Sequence, residues 1–356
     1  MTLPIVSVIV PTHNRAHYLG QALASLRDQT LGEIEIIVVD DGSTDDTPAL
    51  LAAFGDQRLV VVRHAVNRGI PAARNSGLER AGGRYVAWLD SDDIARPDRL
   101  ERQAAYLTAH PDTAMIGCCA GKIDPAGRRI AGTRVPPFDD GAIQAWLLFR
   151  SAFQQSSIMG RSEILKAFPY HPANPVCEDY DVFLRLGAAG HRLENLPLVL
   201  IDRRIHPDQT VRLSERLIPV RTGALLAPLL TRLGMTFSPE DRDRHVLLGN
   251  LKTSVVGEDF LYWANSWIAS LHAANAITEC FDGESLGLVT SYFWLRACKA
   301  AWRSIGPRRA AQWFFKGLSR NRFANSWSWS LSAVRVVIKE RLWPTNRGSQ
   351  GKKAKS

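Results

Sequence analysis

The sequence is poor in sulfur, with five cysteines and four methionines in 356 residues. The cysteines (118, 119, 177, 280, 298) are odd in number and form no CxxC pair. That pattern argues against a zinc site and for a reducing compartment. A secretory signal is not legible either, because the apolar run 5–10 is short and no basic segment precedes it. Long membrane-spanning runs are also missing. The nearest candidate, 260–278, holds Asn265, Ser266, Ser270, His272 and Asn275, and reads as an amphipathic helix of a soluble protein. A hydrophobic fraction of 46% excludes a generally disordered chain. The length allows one large domain with an appendage, or two domains.

Acid is nearly absent from the end of the chain. Residues 285–356 carry 15 Lys and Arg against the single acid Glu340, whereas residues 1–284 carry 29 bases and 34 acids. Six of the ten tryptophans (294, 302, 313, 327, 329, 343) share that basic segment. This shift divides the chain into an N-terminal region and a basic, aromatic one.

The N-terminal region alternates two periodicities. Apolar runs at 5–10, 35–40, 59–63 and 85–89 read as strands, the first ended by Pro11. Helical spacing appears at 16–27, 45–54, 71–81 and 97–110, with Ser43 or Thr44 expected to cap the second helix. This order predicts an α/β fold, a mostly parallel sheet covered on both faces. Ligands of such sheets bind beyond the carboxyl ends of the strands. The loops "PTHNR", "DDGSTDD" and "DSDD" all fall there and should converge.

The acids in those loops need a reason. Asp90, Asp92 and Asp93 follow directly on a buried strand pattern, where like charges repel. Hard carboxylate oxygens at a sheet mouth suit Mg²⁺ or Mn²⁺, which bind a carboxylate or two plus substrate phosphates. Asp93 could instead cap the following helix. A second cluster, "EDYD" at 178–181, precedes another helical pattern and also suits a helix N-terminus.

Five segments in order resemble a family 2 glycosyltransferase of the GT-A fold: "VSVIVPTHNR", "IIVVDDGSTDDT", "NRGIPAARNSGL", "YVAWLDSDD" with "RPDRL", and "CEDYDVFLRL". The resemblance spans roughly 4–206. It implies an inverting enzyme that moves a sugar from a nucleotide-sugar, UDP-sugar favoured, to an acceptor hydroxyl. Pro11, Thr12 and Asp41 would hold the base, and Arg74 would approach the base or diphosphate. Asp90 would contact ribose or metal, Asp92 would ligate Mn²⁺ or Mg²⁺, and His206 would reach the metal or diphosphate. Asp179 would be the general base, with Glu178 the other candidate. The segment 147–160 resembles the acceptor-side strand, with Gln154 to Ser157 offering polar groups.

The expected division is 1–210 catalytic, 211–343 helical and accessory, and 344–356 a disordered polar tail. The accessory helices would carry basic residues (Arg296, Lys299, Arg303; Arg309, Gln312, Lys316) opposite apolar ones (Trp294, Cys298, Ala301, Ile305; Ala311, Phe314, Phe315, Leu318). Such faces suit an anionic membrane surface and a glycan or lipid-linked acceptor, which implies a cytoplasmic enzyme peripheral on the inner face. The same aromatics could simply pack the helices onto the catalytic region. A sugar-nucleotide pyrophosphorylase is disfavoured because the first loop lacks its glycine-rich basic phosphate grip. A sugar-binding protein without transferase activity is disfavoured by the acidic constellation, and nucleic-acid binding lacks any accompanying signature.

Overall fold

The computed structural model describes residues 3–207, 209, 216–251 and 255–320. The first half runs β1 (Val6–Thr12), α1 (Ala16–Arg27), β2 (Ile34–Asp40), α2 (Thr47–Ala53), β3 (Leu59–Arg63), α3 (Ile70–Arg80) and β4 (Tyr85–Trp88). Next come β5 (Ile94–Ala95), α4 (Arg99–Ala109), β6 (Thr113–Ile123), β7 (Arg129–Arg134) and α5 (Asp140–Leu147). β8 (Met159–Arg161), α6 (Ser162–Ala167), α7 (Glu178–Ala188) and β9 (Arg192–Arg204) complete the sheet region. Five further helices follow: α8 (Leu217–Arg232), α9 (Pro239–Asn250), α10 (Glu258–Thr278), α11 (Gly283–Ile305) and α12 (Pro307–Arg320).

The strands form one sheet in the order β3-β2-β1-β4-β8-β6-β9-β5, with β7 beside β6. Its first four strands are parallel; β8 pairs antiparallel with β4 and β6, and the sheet is mixed from there. Alternation along the strands divides the core between two faces. Val6, Val8, Val10, Ile36 and Val38 meet Leu19, Leu23 and Leu26 of α1 and Leu100 and Leu107 of α4. Ile9, Ile37 and Val39 meet Ala73 and Leu78 of α3 on the other face.

Several boundaries differ from expectation for local reasons. β1 does not stop before Pro11 but continues to Thr12, with Pro11 opposite Val39. The Ile9 carbonyl accepts from Leu89 N, so residues 9 and 11 turn their amide edges toward β4. Pairing with β4 ends at Ile9–Trp88, so the N–H that proline lacks has no partner to lose. Helix α2 is capped neither by Ser43 nor by Thr44. Ser43 Oγ accepts from Asn14 N, and the Asp45 carboxylate accepts from Thr47 N at 3.0 Å. The segment 147–160 is mostly loop and a 3₁₀ turn at Gln155–Ser157, and only its end enters β8. Asp93 does not cap α4, whose N-cap is Asp98.

Close approach of α3 to β1 requires glycine at 77. A Cβ there would stand 2.4 Å from Ile9 Cγ2. Gly77→Ala should therefore lower unfolding stability by about 1–3 kcal/mol through overpacking. Urea denaturation measures it, and an unchanged midpoint would show that the interface yields.

The C-terminal helices pack into the same core. Trp294, Cys298 and Ala301 of α11 are buried with Trp146 and Phe149, and Phe293 stacks on Phe149 at 4.4 Å between centroids. The apolar side expected for α12 is not the buried one: Ala310 and Trp313 face inward, while Ala311 and Phe315 are exposed. Among the described residues no helix is long and apolar enough to cross a membrane. Trp327, Trp329, Trp343 and the 344–356 tail lie outside the described residues.

Candidate functional site

Beyond the carboxyl ends of β1, β2 and β4 lies a cleft of about 640 Å³. Pro11, Thr12, Asp41, Arg74, Asp90, Asp92, Glu178 and Asp179 all line it. These residues come from the end of β1, the turns after β2 and β4, helix α3 and the N-terminus of α7, which the fold brings together. His206 is buried behind Asp92, to which its Nε2 bonds at 2.8 Å.

The first two loops hold each other. Asn14, in a left-handed conformation (φ 51°), accepts at Oδ1 from Thr44 N, and its own N–H donates to Ser43 Oγ. Asp40 is wholly buried and accepts from Ser43 N, which makes it part of the scaffold. Asp41 is held more tightly. Its Oδ1 accepts from Arg68 N at 2.8 Å and pairs with His64 Nδ1 at 2.6 Å, while Oδ2 accepts from Gly69 N at 2.8 Å. His64 Nε2 in turn meets Ser76 Oγ at 2.9 Å. Oδ2 thus keeps a lone pair for a donor in the cleft. Gly42 (φ 73°) makes this loop possible, since a Cβ there would lie 2.6 Å from the Val66 carbonyl carbon.

The acidic turn after β4 is braced from behind. Arg204 is fully buried; its Nε donates to the Asp92 carbonyl and its N–H to Asp93 Oδ1. Its remaining nitrogens reach Gln21 Oε1 and the carbonyls of Asp124 and Pro125, and its guanidinium lies 4.8 Å from the Tyr18 ring centroid. Asp90 N donates to Ser156 Oγ. Burial, with Asp92 adding repulsion, pushes the Asp93 carboxyl well up, and burial raises Asp90 despite Arg74. Sequence reasoning missed Arg204, because paired arginines ending a strand read as exposed.

Arg74 lines the cleft, where its nearest described partners are carboxylates. It is 5% exposed, 3.0 Å from Glu178 Oε1 and 3.4 Å from Asp90 Oδ1, with Tyr170 over its plane at 5.3 Å. It therefore ties the "EDYD" helix to the acidic turn. Glu178 is committed to this contact, and burial pushes its carboxyl up to about 7 against the pull of Arg74. Asp179 is more open. Its Oδ1 accepts from Tyr180 N at 2.8 Å, and among the described residues Oδ2 has no hydrogen-bond partner.

The Glu178 shift has a consequence for stability. A carboxyl raised in the fold above its ordinary value of 4.5 binds more protons folded than unfolded between those limits. Stability then declines as pH rises from about 4.5 to about 7. Glu178→Gln should flatten that decline by on the order of 2 kcal/mol. Asp90 and Asp93 act in the same direction and preserve part of the slope. Melting temperature against pH reads this, and an undiminished slope in the variant would refute the assignment.

The donor set suits a divalent cation. Among the described residues no group of three or more His, Cys, Asp or Glu would hold an ion alone. Asp90 and Asp92 fit an ion completed by phosphate oxygens. The 2.8 Å between His206 Nε2 and Asp92 Oδ2 is near the roughly 3 Å separating adjacent ligands on an ion with bonds of about 2.1 Å. The cleft also holds buried polar atoms, Thr12 Oγ1 and Gln155 Oε1, that have no hydrogen-bond partner among the described residues.

Residues 7–168 match the sequence model of Glycosyl transferase family 2. The amylovoran biosynthesis glycosyltransferase AmsE of Erwinia amylovora is 30% identical over 206 residues, 57% of this chain and 77% of AmsE. The chain belongs to glycosyltransferase family 2. The fold agrees. TarS 1-349 of S. aureus, solved with UDP-GlcNAc, superposes with a TM-score of 0.52 at 18% identity, covering 88% of this chain and 92% of that one. The mannosyltransferase PcManGT of Pyrobaculum calidifontis, solved with GDP-Man and Mn²⁺, has a TM-score of 0.50 at 19% identity, covering 96% and 88%. At those identities the two structures establish the fold of this glycosyltransferase and nothing finer.

Proposed function

We propose that this glycosyltransferase moves a sugar from a nucleoside-diphosphate sugar, with UDP favoured, to an acceptor hydroxyl, and inverts the anomeric centre. The observation that carries the reading is the convergence of Asp41, Asp90, Asp92 and Asp179 on one cleft with unpartnered polar atoms in its wall. A role in cell-envelope polysaccharide synthesis is supported by the name of AmsE. We assign the donor chemistry to residues 1–210 and an accessory role to 211–343.

The base of the nucleotide lies against Pro11 and Thr12 and donates to the free lone pair of Asp41 Oδ2. The ribose and diphosphate run toward Asp90 and Asp92. Asp92 and Asp90, with His206 beside them, would hold Mn²⁺ or Mg²⁺, which would supply charge neutralisation for the departing diphosphate. Asp179 receives the acceptor proton as the acceptor oxygen bonds to the anomeric carbon. The bond from that carbon to the diphosphate oxygen breaks, and the nucleoside diphosphate leaves with its electron pair. Arg74 positions Asp90 and the "EDYD" helix by pairing with both sides. Hydrolysis of a panel of UDP- and GDP-sugars with Mn²⁺ tests the reading, and release of nucleoside diphosphate from none of them would oppose it.

Membrane attachment is supported by one face of α11. Leu295, Lys299, Trp302 and Arg303 follow helical spacing and are exposed, Trp302 by 56%. Each basic residue near anionic lipid adds about 1 kcal/mol. Lys299→Glu with Trp302→Ala should release the protein from phosphatidylglycerol vesicles at low salt. Equal sedimentation of variant and wild type would remove this face from the account.

A further inference from the structure

The cleft has a second electrostatic feature, of opposite sign to the carboxylates. Arg203, near the end of β9, lines the cleft with Gln154 and Asp179. Among the described residues its guanidinium has no hydrogen-bond or ion-pair partner. Arg134, at the end of β7, is held by neutral acceptors: Gln154 Oε1 at 3.1 Å, Phe153 O at 2.9 Å and Ser151 O at 3.3 Å. Arg150 donates to Gly249 O at 3.4 Å and Arg296 to Leu251 O at 2.6 Å. None of the four forms an ion pair with a described carboxylate.

Arg134 lies near enough to Arg150 and Arg203, and Arg150 to Arg296, for their charges to repel. Burial depresses Arg134 to about 10, helped by repulsion from Arg150 and Arg203, and Asp179 is the carboxylate that offsets this. Burial also lowers Arg150, with Arg296 as its repelling neighbour. Arg203 and Gln154 share the cleft wall with Asp179, and Arg296 belongs to α11. Partly buried cations without counter-charges are unfavourable unless an anion completes them.

We propose that Arg203, backed by Arg134 and Arg150, forms a subsite for an oxyanion carried by the acceptor. The group is a phosphate of a diphosphate-linked acceptor or the carboxylate of an acidic sugar, seated so that a neighbouring hydroxyl faces Asp179. This rests on the transferase reading and on Asp179 as the base. Gln154 fixes Arg134, and Arg134 sets the field around Arg203, the one guanidinium free to bond the ligand directly. A charge-assisted contact of this type contributes about 10–100-fold in affinity.

The test uses the full chain with Mn²⁺ and a saturating nucleoside diphosphate, UDP or GDP, whichever raises the melting temperature. Geranyl diphosphate, glucuronate and neutral glucose are then titrated calorimetrically. One of the two anions should bind saturably and glucose should not; which anion binds tells phosphate from carboxylate. Arg203→Ala should weaken that anion about 10–100-fold, and Arg203→Lys should restore part of the loss. Arg203→Gln, which keeps most of the aliphatic stem, repeats the test if the alanine variant does not fold. The proposal is overturned if neither anion binds beside the nucleotide, or if wild type and Arg203→Ala bind equally. It is also overturned if Arg203→Ala loses the nucleotide itself, since Arg203 would then serve the donor. Failure of the transferase reading looks different: the wild type would release nucleoside diphosphate from no sugar nucleotide.

Discussion

Asp179→Asn should slow glycosyl transfer by about 10²–10⁴-fold, the usual contribution of a positioned base, and leave donor affinity near that of the wild type. The asparagine keeps the carbonyl oxygen that accepts from Tyr180 N. It loses only the ability to take the acceptor proton. The choice of Asp179 over Glu178 rests on what each carboxylate already does. Glu178 is 7% exposed and contacts Arg74 at 3.0 Å, so a proton from the acceptor would have to enter an occupied ion pair. Asp179 lines the cleft with one oxygen uncommitted among the described residues. Glu178→Gln should act mainly on donor affinity and stability, because it loosens Arg74 and with it Asp90. If Asp179→Asn transfers at the wild-type rate while Glu178→Gln is crippled at saturating donor, the two roles are reversed.

Asp92→Ala should abolish the gain in nucleotide affinity that Mn²⁺ confers. The loss should exceed the roughly 10–100-fold typical of removing a mere partner of a metal ligand. The apoprotein should still fold, because the turn is braced by the Asp92 carbonyl, which bonds Arg204 and survives the change, while the buried His206 Nε2 loses its partner at a cost of about 1–3 kcal/mol. Removing one of three adjacent carboxylates also relieves the repulsion that raises Asp90 and Asp93. Calorimetric titration of UDP with and without Mn²⁺ reads the effect. Metal-dependent binding that persists in Asp92→Ala would move the ion elsewhere.

The parallel part of the fold was legible because its signals are local. Strand β3 and helix α1 have the bounds that periodicity predicted, and the others shift by a few residues. The convergence of three loops followed from topology, since parallel strands must end on one side. Distant pairings left no such trace. Nothing in "VRHAVNRG" says that His64 and the amides of Arg68 and Gly69 close around Asp41. Arg74 sits on a helix of weak amphipathic pattern, and its burial between Glu178 and Asp90 depends on α7 arriving from about 100 residues later. The C-terminal helices show the same limit. Periodicity placed Trp294, Cys298 and Ala301 on one face, but only packing shows that this face joins the core against Trp146 and Phe149. Lys299 and Trp302 are exposed and can be changed without uncovering that core.

The central claim is that the cleft beyond β1, β2 and β4 binds a sugar nucleotide through its acidic residues and a divalent cation. Titration of the full chain with UDP-sugars and GDP-sugars, each with Mn²⁺ and with a chelator, tests it most directly. At least one donor should bind saturably at one site per chain. That binding should be weakened by the chelator and by Asp92→Ala alike, by more than the roughly 10–100-fold typical of removing a mere partner of a metal ligand. Binding that is indifferent to metal and to Asp92, or no binding of any donor, would contradict it.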